Sequence, residues 1–295
     1  MKDLLSPKEL AEAIGVSQSS IKRWTDEGLI RATRTAGGHR RIPIAEAIRF
    51  VRETDANVIQ PQALGLSGST QADRTVDDLE SAAADLERYL HEGAVEAARG
   101  LVLSLYLAGF EIADIADGPV RQTFTSLGHL YHHETDEGIF IEHRATQICL
   151  QAFHALRSVI AEPSDGPLAI GGAVAGDPYQ LPTQLAATAL ASVGSRTMNL
   201  GPDTPISTLE RAARMHDTRL IWLSVSAVAE PDQLKADIES MVAGLDGENI
   251  GIALGGREVA HIGLHHQPGL FIGRSMAELV AYARGLESMP RALPS

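Results

Sequence analysis

LSPKELAEAIGVSQSSIKRWTDEGLIRATRTAGGHRRIPIAEAIRFVR, residues 5–52, carries the densest run of structural punctuation in the 295-residue chain. Ser6 stands three residues before Glu9, the spacing of a capping box, and Leu10, Ala11 and Ile14 give the first helix an apolar face. Gly15 ends that helix. Ser17 caps a second one running to about Glu27, with Ile21 and Trp24 facing inward, and Gly28 stops it. This is helix-turn-helix spacing. Leu29-Ile30-Arg31 and then Arg34 to Ile42 read as a β-hairpin with a Gly37-Gly38 turn, and Pro43 opens a third helix from Ile44 to about Glu53.

A helix entering the major groove needs polar and basic side chains opposite its core residues. Gln18, Ser19, Lys22 and Arg23 meet that need, and Arg34, His39, Arg40 and Arg41 form a wing suited to gripping the phosphate backbone. The alternative is a solvated basic face on a small helical domain. The overall charge of −13 argues against nucleic acid only until its distribution is considered. Lys22 to Arg52 holds eight Lys or Arg against three Asp or Glu, whereas from Ala56 onward there are 15 positive and 30 negative residues. Attraction to phosphate is screened over about 8–10 Å at physiological salt, so a basic module works locally while an acidic body limits unspecific binding.

The same residues closely resemble the winged helix-turn-helix of the MerR family of transcription regulators, above all in the Gly28-Leu29-Ile30 step and the Gly37-Gly38-His39-Arg40-Arg41 wing. The resemblance implies double-stranded operator DNA as partner and palindromic sites read by a homo-oligomer, a dimer or tetramer.

Beyond residues 1–53, the expected DNA-binding domain, residues 54–74 have the composition of a linker. Residues 75–162 carry four amphipathic stretches, about 75–91, 93–108, 111–132 and 136–161, enough for a four-helix bundle. Residues 167–290 then alternate short apolar runs at 168–174, 197–200, 220–225, 250–254 and 270–272 with helical stretches near 181–193, 205–216, 231–244, 256–263 and 275–287. Five β-then-α units predict a Rossmann-like, doubly wound parallel sheet whose ligands sit at the carboxyl ends of the strands. The fold class expected is multi-domain, α and α/β. No uncharged apolar run reaches the ~18 residues of a membrane span, no export signal is read, and Cys149 is the only cysteine, so the expectation is a cytoplasmic protein with no membrane partner.

The order of reader, linker, bundle and Rossmann-like domain resembles the cobalamin-binding, light-sensing repressors of carotenoid genes. The resemblance implies a photoreceptor-like sensor in which the bundle caps a cobalamin lying on the sheet. It places Glu142-His143 at the family's Glu-His pair, and His132 or, with one insertion, Tyr131 where the family has tryptophan. It places Asp177-Pro178-Tyr179-Gln180-Leu181-Pro182 at the family's Asp-x-His-x-x-Gly loop, so that Tyr179 replaces the cobalt-binding histidine and Pro182 the glycine. Ser224, in Leu223-Ser224-Val225-Ser226, and Gly255-Gly256 fall where the family lines the nucleotide-tail pocket.

A phenol with pKa of about 10 replaces neutral imidazole poorly on cobalt, and proline fixes φ and removes a donor. Three outcomes stay open: cobalamin without a lower ligand, another tetrapyrrole such as heme or a bilin, or an empty oligomerisation scaffold. On this reading Tyr179→His with Pro182→Gly should improve cobalamin binding. The expected pocket gathers Tyr131, His132, His133, Glu142 and His143 from the bundle and Asp177, Tyr179, Ser224, Gly255 and Gly256 from the sheet. His129 and His154 on the bundle helices, and His261, His265 and His266, read as surface or loop histidines, and no metal site is assigned. The other class considered is an enzyme, a cobalamin-dependent methyltransferase-like carrier module; such modules need the histidine loop and do not carry a DNA reader, so the expectation is a regulator without catalysis.

Overall fold

The computed structural model describes residues 4–64, 78–132, 136–160, 163 and 165–287, and the chain divides into two compact units, residues 1–161 and 162–295.

The first unit opens with β1 (Leu4–Leu5), α1 (Pro7–Ile14), α2 (Gln18–Asp26), β2 (Thr33–Arg34), β3 (Arg40–Pro43) and α3 (Ile44–Thr54). The capping box forms: Glu9 N donates to Ser6 Oγ at 3.3 Å while Ser6 N donates to Glu9 Oε2 at 2.7 Å. Gly15, at φ 69°, takes the left-handed conformation that ends α1. β2 and β3 pair antiparallel as the wing, and β3 also pairs with β1, a strand too short to be read from its sequence. Leu10, Ile21, Ile30, Ile42 and Ile48 close the core of this domain.

Thr54, expected to begin a linker, ends α3, and residues 55–64 pack on the N-terminal domain instead. Ile59 N and Gln60 N both donate to Ala13 O, at 2.8 and 3.1 Å, and a 3-10 turn at Pro61–Leu64 buries Leu64 completely. The end of α1 leaves its carbonyls unsatisfied, and this segment supplies donors to one of them. The rest of the expected linker, 65–74, lies outside the described residues, as do 75–77.

The helical bundle consists of α4 (Leu79–Glu92), α5 (Val95–Leu107), α6 (Ile112–Ile115), a π-helical turn (Ala116–Val120), α7 (Arg121–His132) and α8 (Asp136–Arg157). The single helix expected over 111–132 is thus interrupted at Ala116–Val120. Pro119 is the cause: it lacks an N–H and crowds the carbonyl four residues earlier, and the widened turn absorbs both.

The second unit alternates β4 (Leu168–Ala173), α9 (Gln180–Ser192), β5 (Arg196–Asn199), α10 (Ile206–Met215), β6 (Thr218–Ser224), α11 (Pro231–Gly244), β7 (Gly251–Gly255), α12 (Val259–Ile262), β8 (Leu270–Ile272) and α13 (Met276–Glu287). All its strand pairs are parallel, in the order β5-β4-β6-β7-β8. The helix expected over 256–263 shrinks to the single turn α12, because Gly256 at φ 131° and Gly263 at φ 68° bracket it. One face of the sheet packs Ile221, Leu223 and Ile252 against Leu209, Ile238 and Met241 of α10 and α11. The other packs Leu220, Trp222 and Ala253 against α9 and α13. Among the described residues no helix is long and apolar enough to cross a membrane.

Candidate nucleic-acid interface and sheet-edge site

On α2, Ile21 is buried and Trp24 packs on Phe50 of α3 with ring centroids 5.1 Å apart. That anchoring turns Gln18, Ser19, Lys22 and Arg23 to solvent, and all four are exposed. Ser17 caps the helix, its Oγ accepting from Ser20 N at 3.1 Å. In the wing, Gly38 N donates to Thr35 O at 2.8 Å and His39 N to Thr35 Oγ1 at 3.2 Å, a turn that Gly38 closes at φ 76°. Arg34 and His39 are exposed and Arg41 is half-buried. Arg34 lies 4.0 Å from the Asp26 carboxylate at the end of α2 and stays exposed; Arg40 differs, because its guanidinium is bound to that carboxylate and its side chain is mostly buried.

Glu46 and Arg49 on α3 were not singled out from the sequence, yet they fix the turn between α2 and the wing. Buried Glu46 accepts from Arg31 N at 2.7 Å and from Arg49 Nε at 3.0 Å, and Arg49 Nη2 donates to Leu29 O at 2.9 Å. Burial pushes the Glu46 carboxyl upward, but the hydrogen bonds and charges of Arg49 and Arg31 bring it below the ordinary value. An acid in the first turn of α3 with an arginine three residues on was the available signal.

In the second unit the order reverses between β4 and β6, and ligands of open α/β sheets bind outside the strand ends at such a switch point. Asp177 follows β4 and is fully buried. Its Oδ1 accepts from Tyr179 N at 2.9 Å and its Oδ2 from Ser226 N at 2.5 Å, so one carboxylate ties the β4 loop to the β6 loop. Burial raises its pKa, opposed by the amides of Ser226, Tyr179 and Ala227 and by Arg257. The Arg257 guanidinium lies 4.8 Å from the centroid of the Tyr179 ring, and its Nε donates to Ser226 O at 2.8 Å. Gly256 is indispensable, since a Cβ there would stand 2.1 Å from Val225 O. Ser224 Oγ is buried and has no hydrogen-bond partner among the described residues. The structure therefore brings Asp177, Tyr179, Ser224, Gly255 and Gly256 to one edge and adds Arg257.

Glu142 and His143 lie on α8 of the first unit. Glu142 is half-buried and accepts from Thr146 Oγ1 at 3.3 Å; His143 is exposed, its Nε2 3.6 Å from Glu142 Oε2. Tyr131 and His132 belong to the last turn of α7, together with His129, and His133 lies outside the described residues. His154, His261, His265 and His266 are exposed. Among the described residues no group of three or more His, Cys, Asp or Glu is placed to hold a metal ion.

Residues 6–42 match the family model described as MerR family regulatory protein. The N-terminal domain is a MerR-family helix-turn-helix. Beyond this MerR-type reader, the chain is similar in fold to the monomethylamine corrinoid protein of Methanosarcina barkeri, with a TM-score of 0.51 and 19% identity over 69% of this chain and 96% of that one. A cobalamin-binding protein from Desulfitobacterium hafniense DCB-2 matches with a TM-score of 0.36 and 17% identity, over 72% and 99% of the two chains. No curated protein matches the chain. The MerR-type domain is joined to a fold like that of the monomethylamine corrinoid protein.

The β4 loop does not fit a cobalt ligand. Tyr179 presents a phenol where imidazole is required, and both oxygens of Asp177 are engaged by backbone amides instead of a ring nitrogen. Pro182 costs nothing here, because it lies in the first turn of α9, where its missing N–H would have no intrahelical acceptor.

Proposed function

We propose that the chain is a DNA-binding transcription regulator, a repressor that reads a palindromic operator as a homo-oligomer through residues 6–42 while the second unit sets the assembly of the copies. One observation carries this reading. Within the residues that match the MerR model, α2 presents Gln18, Ser19, Lys22 and Arg23 to solvent beside a wing bearing Arg34, His39 and Arg41. The test is selection of bound duplexes from a random library by the full chain, followed by anisotropy titration and light scattering. Enrichment of an inverted repeat bound by an even number of copies is the expected result. Recovery of no common motif overturns the proposal.

A sensing role for the second unit is the second reading, and the buried Ser224 hydroxyl without a partner favours it. A polar atom buried unsatisfied costs about 1–3 kcal/mol, which a bound molecule would recover. This reading includes a light or tetrapyrrole response, with heme or a bilin as the bound group. The visible absorption spectrum of the purified protein checks it: a band moved by illumination or by hemin or biliverdin supports sensing, and a colourless protein that neither compound stabilises leaves the assembly role alone.

A further inference from the structure

The layer between the sheet and helices α9 and α13 mixes alanines and leucines around one fully buried indole. Ala169 and Ala253 of the sheet face Ala186 and Ala187 of α9 and Ala283 of α13. The indole is that of Trp222 on β6, 2% exposed. Gly171 is its cross-strand neighbour on β4, and a Cβ added to Gly171 would meet Trp222 Cδ2 at 2.1 Å and Cε2 at 2.4 Å. The Trp222 backbone oxygen would lie 2.3 Å from the same Cβ, so strand and indole together exclude a side chain at Gly171, and the ring packs directly on the glycine. It is also pinned by polar contacts: Trp222 Nε1 donates to Thr183 Oγ1 at 2.9 Å, and the Thr183 hydroxyl donates to Asn199 Oδ1 at 3.0 Å. A buried indole with its N–H satisfied and its ring against glycine has one orientation.

Strand alternation puts Ser224, two residues on, on the same face as Trp222. Ser224 is, with Gly255 and Gly256, one of the residues that the resemblance to cobalamin-binding repressors places in the nucleotide-tail pocket, and its hydroxyl is one of two on β6 that are buried without a partner among the described residues, the other being that of Thr218 at the far end of the strand. We propose that Trp222 is a built-in plug: its indole occupies the slot that a cobalamin tail would enter, so the second unit excludes tail-bearing corrinoids independently of what stands at position 179. The two departures act differently. Tyr179 removes a ligand to the metal, whereas Trp222 removes the volume for the tail, and restoring the loop alone does not restore the volume. Protein interiors are close-packed, and a benzimidazole and an indole of nearly equal size cannot share one slot.

The test compares cyanocobalamin with cobinamide, which lacks the tail, by equilibrium dialysis against the full chain read by visible absorbance. The wild type and Tyr179→His/Pro182→Gly should hold the tail-bearing form no more tightly than the tailless one. Adding Trp222→Gly to the loop changes should raise the preference for the tail at least tenfold. A tenfold preference for the tail in the wild type or in the loop variant overturns the plug, and that arm needs no substitution at Trp222. Because loss of a core indole lowers stability, Trp222→Ala provides a second readout. Free dimethylbenzimidazole should raise its melting temperature by several degrees and leave the wild type unmoved, as small aromatics fill engineered apolar cavities. A folded Trp222→Ala whose melting temperature does not respond overturns the assignment.

Discussion

The guanidinium of Arg40, on the wing strand, is bound to the carboxylate of Asp26, the last residue of α2. Only 21% of the Arg40 side chain is exposed. The pair fixes the wing against α2, so on the proposed reading Arg40 acts by positioning; Arg34, 4.0 Å from the same carboxylate, stays exposed, and Arg41 is left for phosphate. Arg41→Ala should then lower affinity for all duplexes and reduce the slope of log K against log salt by about 0.9, the release expected from one lost phosphate contact. Arg40→Ala should lower affinity with the slope nearly unchanged, and Asp26→Asn should reproduce it. Tighter binding by Asp26→Asn would show that Asp26 merely competes with phosphate for Arg40.

Arg52, at the end of α3, ties the reader to the bundle. Its Nη1 donates to Tyr106 O and to Phe110 O, the latter at 3.1 Å, its Nη2 pairs with Glu111 at 3.0 Å, and its guanidinium lies 4.0 Å from the Tyr106 ring centroid. The Tyr106 carbonyl in the last turn of α5 and the Phe110 carbonyl in the loop before α6 thereby gain a charged donor. Arg52→Ala should destabilise the first unit by about 2–3 kcal/mol, and Lys should not rescue it, because a point charge cannot serve two carbonyls, a carboxylate and a ring at once. Glu111→Ala, which removes only a half-exposed partner, should cost under about 1 kcal/mol. Urea denaturation of the three variants checks the order.

Local chemistry made much of this fold readable. Ser6, Glu9, Gly15, Ser17 and Gly28 mark the reader because caps and left-handed stops depend on residues within one helical turn. The apolar runs of β4, β6 and β7 are equally plain, since buried parallel strands need no polar face. What escaped was non-local. Asp26 reads as an ordinary helix-end acid until β3 brings Arg40 to it, and Trp222 reads as one more apolar strand residue until β4 sets Gly171 beside it. A departure at Pro119 was legible in principle, because a proline beyond the first turn of a helical period kinks or breaks the helix, whereas Pro182 sits in a first turn.

Cys149 lies on α8 with 1% exposure, and burial pushes its thiol up to about 12. Thiolate is the reactive form, so at pH 8 fewer than roughly one thiol in a thousand is ionised, and it is shielded as well. The native protein should therefore leave a disulfide-exchange reagent such as DTNB unreacted over an hour, and titrate one thiol per chain after denaturation. Rapid reaction of the native protein would mean that the bundle opens at α8.

Asp177 links the β4 and β6 loops through the amides of Tyr179 and Ser226, and the pH dependence of that link has a definite sign. Burial raises its pKa above the ordinary 3.8 and outweighs the opposing amides and Arg257. When the folded value is the higher one, the stability linked to the proton is fully present below the unfolded pKa and is lost as pH rises through the folded pKa. The wild type minus Asp177→Asn stability difference should therefore be largest at the acid end and fall to a plateau above the raised value. At that plateau a positive difference of about 1–3 kcal/mol should remain, because the asparagine NH2 faces one backbone N–H that the carboxylate accepts. Urea denaturation in a Trp24→Phe background, where Trp222 is the only indole and reports on the second unit, supplies the measurement. A difference that grows with pH would mean that the amides and Arg257 outweigh burial and hold the carboxylate below its ordinary range.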